Sequence, residues 1–332
     1  MADVTMADVA ARAGVSRALV SIVLRGAPGA SPANRERVLR AAAELDYHPD
    51  HRARLLRSAR TRTLGVVHAL HRPFHAELVE ALYGAVEGTG WRLALEPSVG
   101  SRPERAAVRA LLDLRCEAVL LVGPALARAD LAELAGRVPL VVMARSLRGV
   151  AADVVRTDDE AGARSAVEHL LSLGHERVAH LHGGRAPGAA ERRRGVRAAL
   201  AAAGLPVTLL PGGLTDADGV RAAPAVLAPG GPSAVLAFND ACAAGLLAAA
   251  RAAGRDVPAD LSVVGYDDSA VAALSTVALT TVGQDARALA HHAVARALAR
   301  TEDAGLPPGE DVVAPRLVVR RTTAAPDGTG AR

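Results

Sequence analysis

The chain has no lysine and few aromatic residues: two Phe, three Tyr and one Trp among 332 positions. The apolar half of the sequence is mostly Ala, Val and Leu. That composition disfavours a β-sandwich and favours helices packed on parallel strands. Its two cysteines, Cys116 and Cys242, lie far apart without metal-ligand spacing, so a reduced, cytoplasmic protein is the simplest expectation. Long apolar runs are missing too. Segments such as Val138–Ala144 fall far short of the ~20 residues that span a bilayer. The N-terminus has no basic segment followed by an apolar stretch, so no signal peptide is expected. There is neither a Gly-rich phosphate loop nor a Gly-x-Ser-x-Gly elbow, which weighs against an enzyme. His180 and His182 alternate along a strand, and His291-His292 sit in one helix. Neither pair has a third ligand at a sensible spacing, so no metal or other cofactor is expected.

What is present is unevenly placed. Residues 1–64 hold eleven Arg and six acidic residues, whereas the rest hold 28 Arg and 29 acidic residues. The whole positive excess of +4 therefore sits in the first fifth of the chain. A solvated helix face is one reading of that excess; a polyanion-binding module on a neutral body is the other. Arg in place of Lys suits bidentate phosphate and guanine contacts.

Three short helices read out of the first 46 residues. Thr5 with Asp8 forms a capping-box-like start, and that helix stops at Gly14. Ser16 caps a second, which carries Leu19, Val20 and Val23 on one side and ends at Gly26. Ser31-Pro32 starts a third, with Val38, Leu39, Ala42 and Leu45 as its apolar face. Two helices joined only by Gly14-Val15-Ser16 make a helix-turn-helix. From Leu64 onward, short apolar runs alternate with long Ala/Leu/Arg/Glu segments. The predicted strands are Leu64–Val67, Arg92–Leu95, Ala118–Val122, Leu140–Met143, Arg177–Leu181, Ala234–Phe238, Leu261–Val264 and Leu279–Val282. This βαβ rhythm implies doubly wound parallel sheets, and its length implies two lobes. Trp91 reads as a core residue at a strand start.

The run Val4-Thr5-Met6-Ala7-Asp8-Val9-Ala10-Ala11-Arg12-Ala13-Gly14-Val15-Ser16, with Val20-Ser21 and Val23-Leu24, resembles the headpiece of the LacI/GalR family of bacterial repressors. Tyr47-His48-Pro49, Leu173-Gly174-His175, Arg177-Val178-Ala179, Asn239-Asp240, Val257-Pro258, Val263-Val264-Gly265-Tyr266-Asp267-Asp268 and Leu279-Thr280-Thr281-Val282 extend the resemblance, in order, along nearly the whole chain. It implies an α/β architecture: an all-α helix-turn-helix headpiece (1–48), a hinge helix (49–61), and two doubly wound lobes like periplasmic sugar-binding proteins (62–323). The N-lobe is expected at about 62–157 and 285–314, and the C-lobe at about 158–284 and 315–323. The tail, 324–332, is expected to be disordered.

The same resemblance implies a non-enzymatic transcription regulator, read as a cytoplasmic, nucleoid-associated repressor. It would bind double-stranded, pseudo-palindromic operator DNA as a homodimer and respond to a small-molecule effector. Arg17 and Ala18 occupy base-reading positions. Thr5, Ser16, Ser21 and Tyr47 occupy phosphate-holding positions, although Ser16 and Ser21 could equally cap or solvate a helix. Ile22 stands where Arg often reads a base, and Arg25 where Asn is usual. In the hinge, Leu56 matches the minor-groove wedge and Arg52 flanks it. In the sensing domain, Phe74, His75, Asp158, Arg192, Asn239 and Asp267 match effector-binding positions, while Ala144 stands where Asp is common. For Asp158, Asn239 and Asp267 plain capping is the competing reading. A sugar is the first expectation for the effector; a purine, a phosphorylated metabolite or no effector remain open. Dimer faces are expected around Phe74–Gly88 and Ala286–Arg300. A transport binding protein or a sugar-modifying enzyme are the alternative functions.

Overall fold

The computed structural model describes residues 4–24, 27–47 and 60–326. It divides into two compact units, residues 1–61 and 62–332.

In the first unit, helices α1 (Met6–Ala13), α2 (Arg17–Leu24) and α3 (Pro32–Glu44) surround a small core of Val9, Ala10, Ala13, Val20, Val23, Val38, Ala41 and Ala42. Local chemistry sets each helix end. The Asp8 carboxylate accepts from the Thr5 N–H at 2.8 Å and from its hydroxyl at 2.6 Å. Ser16 Oγ accepts from Leu19 N–H at 3.2 Å, and Ser31 Oγ from Asn34 N–H at 3.3 Å. Gly14, at φ +62°, ends α1 in the left-handed conformation that a glycine adopts without steric cost. One expectation fails: Leu39 is 50% exposed and Ala41 is buried instead. The buried stripe of α3 runs through residues 38, 41 and 42, a helical i, i+3, i+4 phase that excludes 39.

The second unit holds two sheets. The N-lobe is built from β1 (Thr63–Ala69), α4 (Pro73–Val86), β2 (Arg92–Ser98), α5 (Glu104–Asp113), β3 (Ala118–Val122), α6 (Arg128–Ala135), β4 (Leu140–Met143) and β5 (Asp153–Thr157). The C-lobe continues with α7 (Asp159–Ser172), β6 (Val178–His182), α8 (Ala189–Ala202), β7 (Thr208–Pro211), α9 (Asp216–Val226), β8 (Ala234–Ala237), α10 (Asp240–Ala252), β9 (Ser262–Asp267), α11 (Ala270–Ala273) and β10 (Thr280–Gly283). The chain returns to the first sheet as α12 (Ala286–Glu302) and β11 (Glu310–Val313), then to the second as β12 (Arg316–Val318). The strand orders are β11-β5-β4-β3-β1-β2 and β12-β10-β9-β8-β6-β7. Every pairing is parallel except β10 with β12.

Each sheet is buried on both faces. In the N-lobe, Leu64, Leu78, Leu120 and Leu289 fill one side and Leu111, Leu121, Leu131 and Val142 the other. In the C-lobe, Val235, Leu246 and Val263 lie on one side and Val167, Leu200 and Leu236 on the other. The predicted strands all lie in these sheets, but β5, β7, β11 and β12 were not predicted. The tail also departs from expectation at its start. Ala324 donates to Ser262 Oγ at 3.1 Å, and its carbonyl accepts from His175 Nε2 at 2.9 Å. A buried, polar C-lobe edge therefore anchors the chain beyond Thr323.

Candidate functional site: nucleic-acid interface and interlobe cleft

The first unit presents the start of α2 at its surface. Arg17 and Ala18, at the start of α2, are exposed, as are Thr5 and Ser16, while Ser21, Ile22 and Tyr47 are half-buried. The headpiece acids are engaged nearby: Asp8 by Thr5, Glu36 by Arg40 at 2.7 Å and Glu44 by Arg12 at 2.5 Å. Arg17 has no partner among the described residues. Its charge is therefore free for a polyanion, at the helix end that enters a major groove in this motif. Ser16 acts as a cap, and Tyr47 packs against the headpiece core. Arg25, Arg52 and Leu56 lie outside the described residues.

The cleft lies between the two lobes, at the carboxyl ends of their strands. In open parallel sheets that is where ligands bind. An inner cavity of about 50 Å³ is lined by Phe74, His75, Arg192, Asn239 and Asp267 together with Arg72, Gly123, Ala144, Phe238 and Gln284. It is smaller than the ~300–1,000 Å³ typical of ligand sites. An outer vestibule of about 590 Å³ shares Arg72 and Leu214 with it and adds Ser98, Arg105 and Thr215.

Arg192 organises the inner cavity. A Cβ on Gly195 of α8 would lie 2.1 Å from the Glu160 carbonyl of α7. The two helices thus meet backbone to backbone, and Arg192 on α8 reaches Asp159 at the start of α7. Its Nε donates to Asp159 Oδ1 at 2.8 Å and its Nη1 to the Phe238 carbonyl at 2.6 Å. The guanidinium lies 3.5 Å from the centre of the Tyr266 ring and 4.6 Å from that of Phe238. Burial works against its charge, but Asp159, Tyr266 and Asp267 together hold its pKa above the ordinary value.

Asp267 ends β9 at φ +115°, a strained conformation for a residue with a side chain. Its Oδ1 accepts from Gln284 Nε2 at 2.7 Å and lies 3.9 Å from Arg192 Nη2. Burial lifts its pKa to about 8, against the pull of Arg192 and with the push of Asp240 and Asp159. Asn239 caps α10 through its Oδ1, which accepts from Cys242 N–H at 2.9 Å, while its Nδ2 donates to the Leu214 carbonyl at 3.0 Å. It both caps and lines the cavity. His75 Nδ1 accepts from Ala69 N–H at 3.1 Å. Burial, then Arg72 and His68, lower its pKa to about 3, so it is a neutral imidazole protonated at Nε2.

Asp158 is the one effector candidate not brought to the cavity. Its Oδ1 accepts from Ala161 N–H at 3.0 Å, capping α7, and the next residue, Asp159, carries the buried contact to Arg192. Asp159, Gln284, Phe238, Tyr266 and Arg72 escaped the sequence reading. The apolar run that ends in Tyr266-Asp267 signalled a strand end but not which neighbours would meet there.

An exposed reading helix on a basic three-helix unit, followed by two parallel-sheet lobes around a polar cleft, defines a DNA-binding transcription regulator with a sensing domain. Residues 5–50 match the bacterial regulatory proteins of the lacI family, and residues 167–323 match the periplasmic binding protein-like domain. The HTH-type transcriptional regulator GalR of Escherichia coli (strain K12) is 34% identical over 330 residues, covering 97% of this chain and 96% of its own. The lac repressor dimer bound to operator and the anti-inducer ONPF superposes with a TM-score of 0.82 at 29% identity, covering 98% of this chain and 100% of that one. The complex of the regulator CelR with cellobiose gives 0.68 at 32% identity, covering 96% and 99%. The chain belongs to the LacI family; it is a transcriptional regulator and not an enzyme. Among the described residues no helix is long and apolar enough to cross a membrane.

Proposed function

We propose that this regulator acts in the cytoplasm, at the nucleoid, as a homodimeric repressor of a pseudo-palindromic operator, and that a sugar-like effector in the interlobe cleft changes its affinity for DNA. The observation that carries the effector reading is the convergence of Asp267, Asn239, Arg192 and Gln284 on one cavity at the strand ends. Carboxylate, amide and guanidinium groups together can meet adjacent hydroxyls with both acceptors and donors. The similar structure of the transcriptional regulator CelR in complex with cellobiose supports the same chemistry.

For DNA, Arg17 and Ala18 are the proposed base readers. Thr5, Ser16, Ser21 and Tyr47 are proposed to meet phosphates, and Ile22 and Arg25 are proposed as further DNA contacts. Arg52 and Leu56 in the hinge are proposed to engage the minor groove. Two-fold pairing follows from the small area one headpiece can bury, and the lac repressor dimer on operator supports it. Tyr83, 51% exposed on α4, fits an outward pairing face there. The test is sequencing of DNA selected by the full chain, repeated with a metabolite panel, alongside ultracentrifugation. Enrichment of an inverted repeat whose recovery changes with one metabolite supports the reading. A monomer at micromolar concentration, or no enriched sequence, overturns it.

A further inference from the structure

The N-lobe wall of the cleft carries a cation that the fold leaves unbalanced. Arg72 lines both the inner cavity and the vestibule, at the neck between them. Among the described residues its half-buried guanidinium makes no hydrogen bond and no ion pair. Burial pulls its pKa down, and Glu104 and Asp267 act on it only from beyond contact. Both carboxylates are engaged elsewhere. Glu104 accepts from the N–H groups of Ala125 at 2.9 Å and Leu126 at 3.0 Å, and Asp267 accepts from Gln284 at 2.7 Å. Arg105, the vestibule's other arginine, is bonded to Asp130 at 2.5 Å. The Arg72 Nη1 lies beside Gly123, 4.0 Å from where a Cβ would sit. Ala144 follows β4 on the same wall and supplies no carboxylate.

A cation removed from water without a partner is unfavourable unless an anion joins it. A planar guanidinium at the neck of a cleft is also the group best shaped to grip a phosphate or carboxylate through two parallel bonds. The geometry points to an effector that is polyhydroxylated and anionic, a phosphate monoester or a sugar carboxylate, with its anion held by Arg72 between cavity and vestibule. This deepens the proposed function and rests on the cleft being the effector site. A neutral disaccharide would fill the vestibule but would desolvate Arg72 further without balancing it.

The test is titration calorimetry of the full chain with matched ligands: glucose and glucose 6-phosphate, galactose with galactose 1-phosphate and galacturonate, and neutral cellobiose. At least one anionic member should bind about tenfold or more tightly than its neutral parent, the ratio one charge-assisted hydrogen bond supports. Arg72→Gln should erase that advantage, costing the anionic member about tenfold more than its neutral parent, and Arg72→Lys should restore part of it. Equal melting temperatures of the ligand-free variants show that the fold is intact. The phosphate and carboxylate arms separate the two anion sources. Cellobiose or a neutral parent binding as tightly as every anion, or anion binding indifferent to Arg72→Gln, overturns the inference. An operator gel shift runs in parallel. A chain that selects DNA but binds no panel member overturns the anionic effector and leaves the regulator reading standing. A chain that binds anionic sugars through Arg72 but selects no DNA does the reverse.

Discussion

Replacing Asp159 by Ala removes one half of the ion pair on which the cleft is built. Asp159 and Arg192 have side-chain exposures of 5% and 6%, and 2.8 Å separates their bonded atoms. Without the carboxylate, the guanidinium keeps the Phe238 carbonyl, the two aromatic faces and Asp267 at 3.9 Å. Breaking a buried pair from one side typically costs about 3–5 kcal/mol, because the remaining charge is left desolvated. Asp267 softens that loss. Relieved of Asp159, its raised carboxyl ionises more readily and takes over part of the counter-charge, so the lower end, about 3 kcal/mol, is expected. For a domain of this size that is a drop in melting temperature of roughly 6–12 °C. The assay is a double-mutant cycle by denaturant melts of Asp159→Ala, Arg192→Met and the double variant. The double variant should recover at least about 1 kcal/mol relative to the sum of the singles. Asp158→Ala is the control, since it loses only a helix cap, worth about 1 kcal/mol. A loss under 1 kcal/mol for Asp159→Ala, or strict additivity in the cycle, would refute the reasoning.

Arg17→Ala should weaken binding to the best operator by about 1–3 kcal/mol and barely affect random DNA, as read by competition gel shifts; equal losses would mean that Arg17 touches only phosphate. Asp267→Ala should weaken effector binding by about 1–3 kcal/mol, roughly one to two decades, while the ligand-free protein still binds its operator; an unchanged effector titration would make the residue a structural cap. Stability should also depend on pH. Asp267, with a folded pKa near 8, and Asp240, near 6, hold protons that the unfolded chain releases from an ordinary value of 3.8, so each lowers stability as pH rises through its own interval. His75 and His180, held down to about 3 and 4, act in the opposite sense, with stability rising until their ordinary value of 6.5 is passed. Above pH 6.5 the unfolded histidines lose their remaining protons while Asp267 still titrates in the folded state, so a variant lacking Asp267 is the reference. From pH 6.5 to 8 the denaturant midpoint of the wild type should fall relative to that of Asp267→Asn; a wild-type midpoint that holds steady or rises relative to the variant's contradicts the assignment.

Local chemistry made the headpiece readable. Thr5–Asp8, Ser16 and Ser31 each write a helix start into neighbouring residues, and Gly14 writes a stop. Apolar strands such as Ala118–Val122 stood out for the same reason. Two of the missed strands, β5 and β11, share a different property, because their side chains answer to distant partners. Asp153 opens β5 because Arg296 and Arg300 on α12 bind its carboxylate at 3.2 and 2.5 Å, some 145 residues away. Glu310 opens β11, where it accepts from Arg156 of β5 at 2.6 Å. Charged residues in a strand argue against a strand until the ions that balance them are known. Leu39 shows the limit within a single helix, since helical phase alone admits either 38–41–42 or 38–39–42 as the buried stripe.

The cleft divides along the same line. Asn239 and Asp267 could be found because each stands at the carboxyl end of an apolar strand, and a polar side chain there faces the crevice whichever ligand it meets. Asp158 and Asp159 are adjacent and chemically identical, and no pattern within α7 decides between them. The decision comes from α8. Gly195 lets α8 approach until Arg192 points at the first helical residue and leaves the preceding one to cap. Arg72 is set apart by the opposite circumstance, a charge that nothing within contact answers. A sequence displays which charges exist. Which of them remain unbalanced is a property of the fold alone, and an unbalanced charge in a cleft is where a ligand's own charge has to be sought.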